Sequence, residues 1–342
     1  MSKFFRLFTC SSHSKSHKQK YKEKTILMPS LALKGTQETD SDSPPIVELY
    51  SYIEGGVGVG KIDCQDTFCI EHKLTPNSSF FGVYDGHGPR GREVSLFVNE
   101  QIAKIVKKEA YKLEKIITKG KADHFFKTTF KNVEKKLIQA SIGSQSSGTC
   151  CICVLIYKSK CIVVNLGDSR AVLCRKRPTG DVQAINLSED HKPSRADEYD
   201  RIIRNGGIIE AAYFEGSPIG PLRVWTPQKD AGIAMTRSMG DDYGRIAGII
   251  SEPEIREFDL QPTDQFIIVA SDGLWDVMIS EEAVEFVASR LKKGMHKNLI
   301  ARDLTIEAKR RWKDFDDEDA ELYIDDITVV IAYYGFHDDT HK

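Results

Sequence analysis

No apolar run in the 342 residues approaches the roughly 20 that a membrane-spanning helix needs, and no secretory apolar core precedes a cleavage site. Ser2 stands where a glycine would be required, which excludes N-myristoylation. A disulfide framework is missing too. Of the eight cysteines only Cys150 and Cys153 have C-x-x-C spacing, and they lie in "TCCICVLIY" (149–157), which reads as a strand. Strand positions three apart point to opposite faces and cannot share a metal, so buried reduced thiols are expected rather than disulfides or a zinc site. A net charge of −2 gives no global sign of a nucleic-acid binder. Internal repeats are absent. An intracellular protein, cytoplasmic or nuclear, is the expectation.

A nucleotide-binding loop is nearly present. From Gly55 to Lys61, "GGVGVGK" fits the first seven places of G-x-x-x-x-G-K-[ST]. The eighth, which should carry a metal-holding hydroxyl, is Ile62, and "IDCQDTFCI" then leads into a strand where a phosphate-cradling loop should open a helix. The glycines read instead as a close turn.

Hydrophobic content of 40% and charged content of 29% suit a globular protein. The charge is uneven: residues 1–25 hold seven Lys/Arg against Glu23 alone, leaving the remainder near −8. Residues 1–45, rich in Ser and Lys and closing in "DSDSPP", read as a solvated disordered tail. Its basic, acid-poor composition also resembles a transit peptide. "SKFFRLFTC" could give peripheral membrane association if Cys10 were acylated beside the basic cluster.

From residue 46 short β-branched strands are predicted at 46–53, 67–72, 80–85, 148–158, 160–168, 170–175, 182–187, 254–260, 265–272 and 326–334. Helical periodicity marks 91–118, 122–140, 194–205, 280–293 and 297–312; in the second, Phe126, Phe130, Val133 and Leu137 recur at i, i+4, i+7, i+11. Strands come in runs rather than alternating with every helix. That predicts an α+β layered domain of antiparallel sheet with helices outside, spanning 46–336, with a short tail at 337–342.

Aspartates sit at the ends of the apolar strands. Asp85 follows "FFGVY" and precedes Gly-His-Gly; Asp168 follows "CIVVNLG"; Asp272 and Asp276 follow "FIIVAS"; Asp325 and Asp326 precede "ITVVI". In antiparallel sheet the end of one strand lies beside the start of its neighbour, so these carboxylates could converge on one edge. Grouped carboxylates repel unless a cation neutralises them, and all-oxygen sites suit Mg²⁺ or Mn²⁺. Two such ions suit phosphoester hydrolysis. The glycines after Asp85 and Asp272 permit sharp turns with exposed carbonyls.

Ten segments in this order resemble the metal-dependent serine/threonine protein phosphatases of type 2C. They are "QDTF" (65–68), "VYDGHG" (83–88), "SGTCC" (147–151), "NLGDSRAVL" (165–173), "LSEDHKPSRADEYDRIIRNGG" (187–207), "RVWTP" (223–227), "GIAMTRSMGD" (232–241), "ISEPEI" (250–255), "IIVASDGLWDVM" (267–278) and "DDITVVI" (325–331). The resemblance implies a four-layer α-β-β-α sandwich, two antiparallel sheets flanked by helices, with two metals at one end. By position, Asp85 would bridge both ions, the Gly86 carbonyl would ligate one, and Asp272 and Asp325 would complete the other. Asp168 and Asp276, with Asp272, match a weaker third metal position. Gln65 stands where the family often has an acid orienting metal-bound water; Asp66 and Asp326 would support the ligands. A hydroxide bridging the metals would attack phosphorus without a phosphoenzyme, His87 would protonate the leaving alkoxide, and Lys61 would bind the substrate phosphate. Residues 208–231 fall at the family's variable flap. Phosphoprotein substrates and a monomer are implied.

Two other readings compete with this one. A phosphatase-like domain that only holds phosphoproteins is disfavoured by Asp85, Asp272 and Asp325 occurring together, although Cys64 and Lys61 depart from the commoner Asn and Arg. A calcium loop in "DFDDEDAELYID" (314–325) lacks the glycine at its sixth place and the glutamate at its twelfth, and reads as a solvated acidic loop.

Overall fold

The strand "GTCCICVLIY" is buried along its whole length because both its faces are covered. Cys151, Cys153, Leu155 and Tyr157 turn toward helices, whereas Ile152, Val154 and Ile156 turn toward a second sheet, as a period of two requires. The computed structural model describes residues 46–58, 61, 63–214, 216–229, 232–314 and 323–335. The expectations for the two terminal tails, and most of the acidic stretch at 314–325, lie outside these residues.

One sheet runs in the order β12 (Glu254–Asp259), β5 (Lys160–Leu166), β4 (Gly148–Tyr157), β3 (Ser78–His87), β2 (Thr67–Thr75), with β11 (Met239–Gly240) pairing β4. The other runs β1 (Ile46–Glu54), β14 (Ile327–Gly335), β13 (Asp264–Ala270), β6 (Arg170–Lys176), β7 (Val182–Asn186). All their pairings are antiparallel. Outside the first sheet lie α1 (Gly91–Lys108), α2 (Leu113–Thr118) and α3 (Ala122–Ala140). Outside the second lie α5 (Asp272–Trp275), α6 (Ser280–Lys292) and α7 (Lys297–Asp314).

Three apolar layers hold this stack together. Val98, Ile102, Val106, Phe126, Phe130 and Leu137 bury the first helix layer on its sheet. Ile267, Val269 and Val330 meet Val83, Ile152 and Val163 between the sheets. Phe266, Ile268, Val329 and Ile331 point the other way, onto Val284, Val287, Ile300 and Leu304. Each such side chain contributes roughly 1.5–3 kcal/mol by leaving water. The α-β-β-α sandwich is therefore the observed fold.

Two expectations change. The single helix at 91–118 divides, with α1 ending at Lys108 and a 3₁₀ turn at Ala110–Lys112 preceding α2. The apolar stripe thins to Ala110 there, while Lys104, Lys108 and Lys112 stack like charges at i, i+4, which disfavours a continuous helix. The variable segment at 208–231, for which no strand is predicted, has regular structure. It forms β8 (Ile208–Phe214) and β9 (Ser217–Trp225), paired with β10 (Gly232–Ile233) beside α4 (Ala196–Arg204). Pro218 and Pro221 within β9 disguise it, since proline reads as a strand breaker.

Candidate active site

Four chain segments bring carboxylates to one end of the sandwich. Asp85 sits near the end of β3, Asp168 just after β5, Asp272 opens α5, and Asp325 and Asp326 precede β14. Asp85 lies opposite Cys150 in the register, and the Cys150 thiol donates to Asp168 Oδ1 at 3.2 Å. The charges feel one another. Burial, then Asp272, Asp66, Asp325 and Asp168, push the Asp85 carboxyl well above its ordinary range. Burial, then Asp168, Asp325 and Asp276, do the same to Asp272. Asp276 is raised by burial and by Asp168 even though Lys192 pulls it down.

Asp66 is buried on the second sheet's side of the cluster. Its Oδ2 accepts from Thr328 Oγ1 at 2.8 Å and its Oδ1 is buried with no partner. Burial and the Asp326 charge push it up to about 7. Asp326 accepts from the Gly56 and Gln65 amides at 2.6 and 2.9 Å. Gln65 turns its side-chain amide away from the acids, donating to the Gly88 carbonyl at 2.7 Å.

Two ammonium groups stand inside this cluster. Lys61 Nζ lies 2.7 Å from Asp325 Oδ1 and 3.3 Å from Asp326 Oδ2, with 13% of the side chain exposed. Burial alone would depress it, but Asp325 and Asp326 outweigh burial and hold it above the usual lysine range. Lys192 Nζ lies 3.3 Å from Asp276 Oδ1 and 3.6 Å from Asp168 Oδ2. The residue expected at a substrate phosphate thus contacts carboxylates of its own chain. The glycines ahead of Lys61 serve both a turn and a close approach: the Lys61 amide donates to the Gly58 carbonyl at 3.2 Å, Val57 bridges Ile324, and a Cβ on Gly56 would fall 2.3 Å from the Ile324 carbonyl and 2.6 Å from Lys61 Nζ.

His87 stands at the rim of the cluster. Its Nε2–H donates to Asp241 Oδ2 at 2.7 Å, and Ser238 Oγ donates to the same oxygen at 2.5 Å. Burial would lower this imidazole, but Asp241 outweighs burial and raises it, favouring the imidazolium. Nδ1 is buried with no partner. Asp241, 2% exposed, occupies a left-handed backbone conformation at φ 52°, held by its amide's bond to the Ser147 carbonyl. In the sequence this aspartate only closes "GIAMTRSMGD" and Lys192 only sits within "DHKP". Nothing local reveals that Asp241 meets a residue 154 positions away.

The donor set is carboxylate and carbonyl oxygen, which fits a hard divalent cation. The mutually raised carboxyls and the orphaned Asp66 oxygen fit a site that countercharge completes. Among the described residues, no three ligating side chains stand close enough to enclose an ion as they are; uncompensated carboxylates repel, and the two lysines draw the outer ones aside.

The Protein phosphatase 2C family model matches residues 60–313. "Probable protein phosphatase 2C 35" of Arabidopsis thaliana is 32% identical over 290 residues, covering 78% of this chain and 78% of that relative. "Probable protein phosphatase 2C 14" of the same plant is 36% identical over 261 residues, 72% of this chain, which spans about half (53%) of that relative's length. Among solved structures, the serine-threonine phosphatase 2C from Toxoplasma gondii superposes with a TM-score of 0.70 at 21% identity, covering 85% of this chain and 97% of that one. That likeness concerns the fold.

Proposed function

Because the chain belongs to the protein phosphatase 2C family of metal-dependent serine/threonine phosphatases, we propose that it hydrolyses phosphoserine and phosphothreonine in phosphoproteins. The observation that carries the reading is the gathering of Asp85, Asp168, Asp272 and Asp325 from separate segments into one mutually repelling set. When bound, Mg²⁺ or Mn²⁺ supplies a water of lowered pKa and neutralises charge on the phosphoryl oxygens. Asp85, the Gly86 carbonyl, Asp272 and Asp325 would hold two ions, and Asp168 and Asp276, with Asp272, a weaker third. Asp66 and Asp326 brace the ligand-bearing segments through Thr328, Gly56 and Gln65.

Lys61 orients the phosphate once its ammonium leaves Asp325. His87, anchored through Nε2 by Asp241 and favoured as the imidazolium, would give the Nδ1 proton to the departing serine or threonine oxygen once substrate reaches that now buried atom. Residues 46–336 form the catalytic unit, and the segment at 208–231 presents the surface on which the peptide around the phosphate is read.

The test is Mn²⁺-dependent phosphate release from a phosphothreonine peptide. It should stop with chelator, and in Asp272→Asn at saturating Mn²⁺ it should fall by orders of magnitude while the fold survives. Near-normal turnover in that variant, or turnover that persists in chelator, overturns the reading.

A further inference from the structure

A broad basic face lies away from the acids. Residues 104–136 hold eleven lysines, four acids and no arginine, a net charge of +7 in a chain whose total is −2. α1 and α3 turn Ile102, Val106, Phe126 and Phe130 to the sheet, so their opposite faces carry the lysines outward. Lys136 Nζ donates to Gln101 Oε1 at 3.0 Å, which sets the two helices side by side in one layer. Lys104 and Lys108 on α1, Lys115 and Lys119 at α2, and Lys131 and Lys135 on α3 are exposed. The segment's ion pairs fall to Lys107, Lys112 and Lys127, leaving those six without an ion-pair partner among the described residues.

Much of this face is remote from the catalytic end. Lys107 pairs with Glu71 at 2.7 Å, and Glu71 lies opposite Phe80, five residues before Asp85 on β3 and therefore about 16 Å from it along the strand. α1 starts beside the site at Gly91, whose carbonyl would meet a Cβ on Gly86 at 2.5 Å, and runs about 27 Å away from it. Lysines at the far end of α1 and on α2 cannot touch a phosphate held among the acids.

The composition selects a partner. Bidentate recognition of base edges and of a single phosphoryl group favours planar guanidinium forks, and the segment has none. A broad field of lysine point charges suits an anionic bilayer, where headgroups offer charge without fixed geometry. Tyr111, 75% exposed at the corner between α1 and α2, has Lys112 Nζ 5.0 Å from its ring. An amphipathic aromatic among lysines is the side chain that settles at a headgroup boundary. Stable membrane attachment takes two signals, and the aromatic, basic stretch "SKFFRLF" (2–8) offers the second.

We propose that the outer face of α1–α3 is a docking surface for anionic phospholipid headgroups. The test is flotation of the full chain with vesicles of phosphatidylcholine alone or mixed with phosphatidylserine. Binding should require phosphatidylserine and weaken as salt shortens the screening length. Losing one lysine charge costs about fivefold in partition, so reversing Lys104, Lys108, Lys115 and Lys119 together to Glu should cost at least about several hundredfold in all. The same four changed to Gln should lose less. Both variants should keep the wild-type melting temperature and Mn²⁺-dependent turnover of an aryl phosphate. Either of two results overturns the proposal: a charge-reversed variant that floats like the wild type, or a wild type that ignores phosphatidylserine. Tighter binding of single-stranded RNA than of the vesicles at equal salt overturns it in favour of a nucleic-acid surface.

Discussion

Replacing Lys61 with alanine should move two measurements in opposite directions. The ammonium lies 2.7 Å from Asp325 Oδ1 and 3.3 Å from Asp326 Oδ2, largely shielded from water. Its gross attraction to Asp325 is about 6 kcal/mol at an effective dielectric constant near 20. Desolvation removes most of that, leaving a charge-assisted hydrogen bond worth roughly 1.5–3 kcal/mol. An ion that takes Asp325 must first displace this ammonium. Lys61→Ala should therefore tighten Mn²⁺ binding by about 10- to 150-fold, read by calorimetric titration. Turnover should respond the other way: on the proposal that the freed ammonium meets substrate phosphate, kcat/KM on a phosphothreonine peptide at saturating Mn²⁺ should fall by about the same factor. Lys61→Arg should preserve most of both behaviours, because its planar fork serves carboxylate and phosphate alike. ATP should not raise the melting temperature of the wild type. An unchanged or weakened Mn²⁺ affinity in Lys61→Ala refutes the competition for Asp325, and an unchanged kcat/KM refutes the phosphate contact.

His87→Gln should slow phosphoserine and phosphothreonine peptides by about 10²–10⁴ while sparing activated aryl phosphates, whose leaving groups need no proton; equal losses on both would remove His87 from that role. Asp66 has its carboxyl pushed from an ordinary 3.8 up to about 7 in the fold, so its ionisation destabilises the metal-free protein increasingly as pH rises from about 4 through 7. Asp66→Asn should accordingly raise the melting temperature in chelator at pH 8 and give no gain at pH 4; a pH-independent difference would contradict the burial argument. Glu198 is fully buried and accepts from Arg201 at 2.6 and 2.7 Å and from Arg237 at 2.6 Å. Glu198→Ala leaves both guanidiniums without their carboxylate and should cost about 3–5 kcal/mol in urea denaturation, against a small change if the pair behaves as exposed.

What the sequence makes legible follows from period and chain ends. "GTCCICVLIY" announces a strand covered on both faces, and aspartates closing or opening such strands must gather where antiparallel neighbours end. Pairings that depend on distant segments are silent. Neither the Asp241 contact with His87 nor the seating of Lys61 between Asp325 and Asp326, some 264 residues along the chain, has any local signature. β9 escaped notice because its prolines satisfy rules for loops, yet their missing amides are tolerated in this small three-stranded sheet. The break after α1 is hidden for the opposite reason: apolar spacing runs on from Val106 to Leu113 and Ile117, and only the thinning to Ala110 and the stacked lysines outside argue against continuity.

The placement of Lys61 and Lys192 bears on how the acid cluster survives folding. A chain that gathers this many carboxylates must neutralise them before any ion arrives, or repulsion would open the sheet ends. Lys61 covers Asp325 and Asp326 on one side, and Lys192 covers Asp168 and Asp276 on the other. Asp85 and Asp272 lie between them, and burial with the neighbouring carboxylates raises both carboxyls, which favours their protonated forms although Lys192 pulls Asp272 the other way. Ammoniums thus cover the edges of the cluster, and the raised carboxyls of its centre favour protons. A divalent ion bound by these carboxylates would compete with those protons, so its affinity should rise as the solution becomes more alkaline. On the role proposed for Lys61, the same ion would also free its ammonium from Asp325 and so make it available to phosphate.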